Sequence, residues 1–350
     1  MTQKECTRCL FTEDIATIME DGQCEYCKLH DKLEAQSQDF TPVLWKIKQA
    51  GKGKQYDCVI GISGGVDSST LLYAAVTKWK LKPLVIHFDN GYNKIEAEEN
   101  MKRLCGIVNV DYVRYIAINS SYEQLNIMLR DYILPDADIP NDIAMTKLIY
   151  EAARMYKIKY ILNGHDFRTE GSSPKKWSLI DSKYLRAVGE SWFSSDSFSS
   201  FPFFTIKDQL YYAFLGIKQV RPFHYKNSNR NELELEMRNN IGFVDYGGKH
   251  AENLYTEWVG KYYLPTYHNI DKRITYLSAQ VRSGIITKDK AKEILAQPIN
   301  YTGNDQWFIG RNRKDRSDFP RYNFKKYRAF WWVLMKLKAV PYTMYAKYCK

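Results

Sequence analysis

The stretch "CVIGISGGVDSSTLLYAAV", residues 58–76, decides how this chain is read. It begins as a buried strand and then breaks into Ser-Gly-Gly-Val-Asp-Ser-Ser before a helical pattern takes over. A packed core has no use for two glycines, an acid and several hydroxyls at a strand end, whereas a phosphate does. Gly64 and Gly65 let the backbone turn sharply and bring its N–H groups close to an anion. Ser68 and Ser69 open the following helix, whose first turn has unpaired donors and a partial positive charge. The hydroxyls of Ser63, Ser68 and Ser69 add further contacts. The loop lacks the spacing and the lysine of G-x-x-x-x-G-K-[ST], and it is not G-x-G-x-x-G.

Outward from that loop, short β-rich runs alternate with longer helical patterns. "YDCVIGIS" (56–63), "KPLVIHF" (82–88), "VDYVRYIAI" (110–118) and "IKYILNG" (158–164) read as strands. Helical stretches follow to about residue 79, over 95–105, and around 121–132 and 141–156. Such alternation predicts βαβ units, and hence an α/β fold with a parallel sheet and helices on both faces. "GESWFSSDSFSSFPFF" (189–204) reads as a loop. Residues 270–297 read as two helices, the first ending at Gly284 and the second starting after a Thr287 cap and stopping before Pro298. Three domains are expected: residues 1–35, 36–225 and 226–350, the last mainly helical.

Four of the seven cysteines form two tight pairs, Cys6-x-x-Cys9 and Cys24-x-x-Cys27, fourteen residues apart. Two such knuckles supply four thiolates for a closed tetrahedral shell, which suits a structural Zn²⁺. Four free cysteines and an iron–sulfur cluster are the other readings. A segment of ~30 residues cannot bury a stable core unaided, so a metal would supply its folding energy. Cys58 lies in the first strand and reads as packing.

At 350 residues, 45% hydrophobic and 26% charged, the chain can bury a sizeable core. Its N-terminus has no apolar signal region. The longest apolar run near its end, "AFWWVLM" (329–335), falls far short of the ~20 residues that span a bilayer. A cytoplasmic protein with no transmembrane segment is expected. The net charge of +11 favours a phosphorylated or polyanionic partner.

The strand–SGGVDSS–helix unit resembles the PP-loop of the N-type ATP pyrophosphatases, which cleave ATP between its α and β phosphates. That resemblance implies ATP at Ser63, Gly64, Gly65, Asp67, Ser68 and Ser69. It places adenine and ribose contacts at Phe88, Asp89 and Asn90, after the second strand, and further contacts at Gly164. Asp166, in "NGHD" (163–166), would hold Mg²⁺ against the polyphosphate.

The second half is similar to the N-acetyl sugar amidotransferases of bacterial surface-polysaccharide, lipopolysaccharide and nonulosonic acid biosynthesis. The similarity is carried by "YGGKHAEN" (246–253), "YYLP" (262–265), "DKR" (271–273) and "SGIITKDKA" (283–291), with the CxxC pairs ahead of the loop. Near residue 265, where that family often has an aromatic, this chain reads "LPTYHNIDKR".

Membership would make the chain an AMP-forming enzyme that turns an acetamido group into an acetamidino group through an O-adenylyl imidate. Lys249, His250 and Glu252 follow a Gly-Gly turn and could project into a cleft. Lys249 would offset negative charge, and His250 or Glu252 would move a proton from ammonia. With Asp67 and Asp166 they make up the expected catalytic set. Lys272 and Arg273 could hold pyrophosphate, or could simply start a helix with a surface ion pair.

No glutaminase is visible in the chain. The resemblance therefore implies a separate glutaminase subunit and a cyclase-like barrel subunit that channel ammonia, and a nucleotide-linked N-acetyl sugar as substrate. The main rival is a tRNA thiolase, which pairs the same loop with CxxC sites and would use the positive charge on RNA. Sulfur transfer wants a cysteine near the loop, and beyond residue 67 only Cys105 and Cys349 remain. Nucleic acid is accordingly not an expected partner. Amide formation of the asparagine-synthetase kind and a non-catalytic nucleotide module are weaker alternatives. The basic, aromatic tail from 311 to 350 reads as a helix packed on the domain, or as a docking segment.

Overall fold

The structure is a computed structural model that describes residues 4–303, apart from residues 37, 118, 119, 132, 135, 136, 175, 176, 178–181 and 191–199. The tail from 311 and most of the Ser/Phe-rich stretch thus lie outside the described residues.

Five parallel strands form one sheet: β1 (Cys58–Gly61), β2 (Pro83–Asp89), β3 (Tyr112–Ile116), β4 (Tyr160–Leu162) and β5 (Lys218–Val220), in the order β3-β2-β1-β4-β5. The first four are the strands expected from the apolar runs. The fifth is only three half-buried residues long, too short to show a pattern.

Alternate residues of β1 and β2 face opposite cores, as the strand period requires. Cys58, Ile60 and Val85 join the core formed with α2 (Thr41–Gly51), α3 (Val66–Thr77), α4 (Ile95–Val108) and α9 (Arg230–Ile241). Val59, Leu84 and Ile86 join the core formed with α6 (Ile139–Met155) and with Tyr212 of α8 (Ile206–Phe214). The sheet is therefore covered on both faces. A further core holds α5 (Ser120–Asp131), α6 and α7 (Ser182–Glu190) together.

The strand order reverses between β1 and β4, and the crevice beyond their carboxyl ends is where open α/β sheets bind ligands. Two of the sequence signals sit there: the Ser63–Ser69 loop after β1, and Asn163–Asp166 after β4.

Beyond the sheet, α10 (Leu254–Trp258) and α11 (Leu264–His268) are joined by a π-helical turn at Val259–Tyr263. Pro265 has no N–H to give to the helical ladder, and the Leu264 N–H reaches back five residues to the Val259 carbonyl. Tyr255, Trp258 and Tyr263 of this segment are buried together. The final hairpin is α12 (Arg273–Arg282) and α13 (Lys288–Ala296). Gly284 breaks the first helix with φ +70°, and the Thr287 side chain caps the second by accepting from the Lys290 N–H. Among the described residues no helix is long and apolar enough to cross a membrane.

Candidate functional site

The chain leaves the sheet at Ser63, and Gly64 turns it with φ +75°. A β-carbon at Gly64 would lie 2.1 Å from the Ala97 carbonyl oxygen in the first turn of α4, so both conformation and space demand glycine. Hydroxyls close the loop on itself. The Gly65 N–H donates to Ser63 Oγ at 3.2 Å, the Ser63 N–H donates to Ser68 Oγ at 3.2 Å, and Ser68 Oγ–H donates to the Gly65 carbonyl at 3.2 Å. Helix α3 then starts with no side-chain cap at Gly65. From the other side of the crevice, Gly164 packs so closely that a β-carbon there would meet the Asp67 carbonyl oxygen at 2.7 Å. Ser69 is fully buried, and its hydroxyl has no hydrogen-bond partner among the described residues.

A second signal, "YGGKHAEN" (246–253) in the second half of the sequence, folds onto this loop. Segment 246–254 is stitched along the start of α4: the Lys94 N–H donates to the Glu252 carbonyl at 2.9 Å, and the Leu254 N–H donates to the Tyr92 carbonyl at 2.8 Å. Glu252 Oε1 comes within 3.5 Å of Ser63 Oγ, while Oε2 is buried without a partner among the described residues. Burial pushes the Glu252 pKa up. The Tyr246 hydroxyl accepts from the Val66 N–H at 2.9 Å. Lys249 Nζ lies 3.8 Å from Asp67 and 3.9 Å from Glu170.

Asp67 also pairs with Arg230 of α9. Burial alone would raise its pKa, but the Lys249 and Arg230 charges outweigh burial and hold it low. Glu170 goes the other way, pushed up to about 8 by burial and by the Asp67 charge. Burial and the Asp67 charge thus favour the protonated form of Glu170, while Lys249 and Arg230 favour the ionised form of Asp67.

A raised carboxyl pKa makes stability fall as pH rises, because the unfolded chain gives up a proton that the fold retains. Between the ordinary Glu value of 4.5 and about 8, the nucleotide-free protein should lose stability. In Glu170→Gln that part of the slope should vanish. Thermal midpoints of both proteins across this range test it; equal slopes would show that Glu170 ionises normally.

The other expected residues fall at varied distances from this cluster. Asp166 is 4% exposed and accepts from the Arg168 N–H at 3.0 Å and from the Thr169 hydroxyl at 3.3 Å, with a pKa raised by burial. His250, with φ +60°, is open to solvent, yet desolvation in the cleft and the Lys249 and Lys272 ammonium groups lower its pKa. Phe88 packs edge-on against Tyr122 with ring centres 5.9 Å apart. Asp89 is engaged by Arg114 and by the Gly91 N–H and Asn93 amide, and Asn90 by Tyr122, Asn141, Tyr92 and Asn253. These two side chains build the turn after β2.

Arg273 chelates Asp271 and donates to the Leu295 carbonyl at 3.0 Å, so it closes the α12–α13 hairpin and leaves only Lys272 of that pair near His250. Three participants were not singled out from the sequence: Arg230, Glu170 and Tyr246. Arg230 and Glu170 sit in ordinary polar surroundings along the chain, and no local pattern marks them. Tyr246 opens the noticed "YGGKHAEN" but was not assigned a role.

Cys6, Cys9, Cys24 and Cys27 are buried with their sulfurs all within 4.8 Å of one another. The Cys6–Cys27, Cys9–Cys24 and Cys24–Cys27 sulfur pairs are each 3.6 Å apart. A tetrahedral ion with bonds of about 2.3 Å needs sulfurs about 3.8 Å apart. The four thiols fit one such ion, whereas a four-iron cube would hold them farther apart. Buried Arg282 of α12 donates to Cys9 Sγ at 3.4 Å and offsets thiolate charge.

Residues 252–348 match the family of the LPS biosynthesis protein WbpG-like C-terminal domain. The uncharacterized protein MJ1599 of Methanocaldococcus jannaschii is 28% identical over 315 residues, which cover 84% of this chain and 94% of that protein. Among solved structures, the NH3-dependent NAD synthetase of Campylobacter jejuni is similar at 15% identity and a TM-score of 0.31, over 62% of this chain and 94% of that one. The U34-tRNA thiolase NcsA of Methanococcus maripaludis, with its [4Fe-4S] cluster, is similar at 12% identity and a TM-score of 0.35, over 92% and 100%. Likenesses that loose leave the chemistry to be read from the site. Over residues 252–348, then, the chain is similar to the C-terminal domain of the WbpG-like lipopolysaccharide-biosynthesis proteins.

Proposed function

We propose that this chain is an ATP-dependent, AMP-forming amidotransferase that converts the acetamido group of a nucleotide-linked N-acetyl sugar into an acetamidino group. One observation carries the reading: Glu252 and Lys249 of the second signal reach Ser63 and Asp67 of the Ser63–Ser69 loop, across more than 180 residues of sequence. A loop suited to phosphate and the start of a lipopolysaccharide-biosynthesis domain thus share one crevice.

In the proposed reaction the amide oxygen attacks the α-phosphorus of ATP and pyrophosphate leaves, giving an O-adenylyl imidate. Ammonia then adds to the activated carbon, a proton is lost, and the C–O bond to AMP breaks. The open first turn of α3 and the charges of Arg230 and Lys249 would face the polyphosphate. Asp67 and Glu170 would hold Mg²⁺, which would displace the proton that burial favours on Glu170 and neutralise phosphate charge. Asp166 would support that turn from beneath. Glu252, whose Oε2 has no partner among the described residues and whose pKa is raised, would accept the ammonia proton.

A structural Zn²⁺ would fill the four-cysteine shell. A separate glutaminase with a barrel subunit would supply ammonia in the cytoplasm. A thiolase would need a reactive cysteine at the loop. Cys58 and Cys105 are instead buried in the sheet core, with thiol pKa values raised by burial.

The test is pyrophosphate release from ATP with ammonium salt and a panel of nucleotide-linked N-acetyl sugars. Sugar-dependent release, with a product one mass unit lighter as NH replaces O, supports the reading. Release only with tRNA and a sulfur donor overturns it. In Glu252→Gln, kcat should fall about a hundredfold, the usual size for loss of a proton-transfer group. An unchanged kcat would assign the proton step elsewhere.

A further inference from the structure

We infer that the four-cysteine module is a positioning element of the crevice, acting through Glu34 and Arg168 on the Asp166–Gly171 turn. Helix α1 (Glu25–Gln36) starts directly after Cys24 and carries Cys27 in its first turn. Residues 27, 30 and 34 share one face of that helix.

His30 is 5% exposed and packs edge-on against Phe167, with ring centres 5.1 Å apart. One turn further on, both Glu34 oxygens receive the Arg168 guanidinium, Nε at 2.6 Å and Nη2 at 3.0 Å. This is the two-pronged arrangement that fixes direction as well as distance. Arg168 lies inside the turn it orients. Its N–H donates to Asp166, and its Nη1 donates to the His224 carbonyl at 3.0 Å. The turn is closed by the Glu170 N–H on the Asp166 carbonyl at 2.9 Å, which sets where Glu170 meets Lys249 and Asp67.

The same module holds the turn from its other side. Arg282 donates Nη1 to Cys9 Sγ, and a β-carbon at Gly171 would meet its Nη2 at 3.2 Å and the Thr275 carbonyl at 3.1 Å. Ser283, the next residue, donates to the Arg168 carbonyl at 3.0 Å. Lys288 of α13 donates to the Cys6 carbonyl at 2.6 Å. A module that served only its own fold would not need both edges of its docking surface to end on one turn of the crevice. The metal shell thus fixes the start of α1 and the place of Arg282, and these two fix the turn.

The nucleotide arm of the test rests on the ATP-dependent reading above; the exchange arm does not. Glu34→Gln in the full-length protein keeps the side-chain shape and removes the charge. It should retain its metal, measured by elemental analysis. Amide exchange of the peptide spanning 164–172 should be faster than in the wild type by roughly tenfold, the size expected when a charge-assisted pair becomes a neutral one. Chelator added to the wild type should speed exchange of the same peptide at least as much, and added to Glu34→Gln should speed it further, because it also frees Arg282 from Cys9. The KM for ATP should rise by a similar factor with kcat within about twofold, whereas Arg168→Lys, which keeps the charge but not the fork, should show an intermediate effect.

Wild-type exchange in Glu34→Gln, or loss of its metal, would overturn the inference. A wild type that releases no pyrophosphate from ATP would overturn the functional reading, while the exchange data would still decide this one.

Discussion

Gly64→Ala is expected to abolish pyrophosphate release and to lower the unfolding free energy by about 4 kcal/mol or more, because left-handed strain and a backbone clash act together. The residue has φ +75°, and the added carbon would stand 2.1 Å from the Ala97 carbonyl. That oxygen belongs to the first turn of α4 and is no flexible side-chain tip, so relief requires moving α4 away from the loop. The residues of the second signal are tied to the start of the same helix, and they would move with it.

Gly65→Ala is the instructive control. Its added carbon meets Glu252 Oε1 at 2.9 Å, the far end of a side chain that can turn away. The effect on stability should be small and the effect on turnover larger. Denaturant unfolding and initial rates on both variants decide the matter. Equal stability losses would show that the two glycines serve only the turn.

Cys24→Ser should have the second largest effect. The core around the cysteines consists of little more than Phe11, Ile15, Ala16 and Tyr26. A segment this small holds together through its metal, and removing one ligand forfeits most of that binding energy, leaving the first ~30 residues unfolded. The cost spreads further, since Arg282 is 5% exposed and would remain buried beside a site that has lost its negative charge. Metal content should fall to a small fraction, the thermal midpoint should drop, and protease should cut within the N-terminal segment first. A Cys24→Ser protein with wild-type midpoint and no metal would mean that the thiols pack without an ion.

The Gly64–Gly65 turn and the cysteine knuckles were legible in the sequence for the same reason. Each is a short run in which neighbouring residues answer to one another, and the local chemistry has few other uses. The capped start of α13 at Thr287 was readable in the same way. The limits lay where function is assembled from single residues far apart in the chain. Arg230 looks like any basic residue opening a helix, and Glu170 like any acid in a turn. Asp89 and Asn90 were expected at the nucleotide, but short polar side chains at a strand end also close turns, and here every group they offer is engaged in that work. Arg273 was expected to reach an anion, yet a carboxylate two residues away and free helix carbonyls were nearer.

The sequence by itself determined that a parallel sheet would carry a sharp glycine turn after its first strand, and that four cysteines would come together. Both follow from hydrophobic period and from the geometry that glycine and CxxC impose over a few residues. Only the tertiary structure decided which charges meet. Asp67, Glu170, Arg230 and Lys249 come from four separate segments, and their protonation depends on distances of about 4 Å and on burial, neither of which has any signature along the chain.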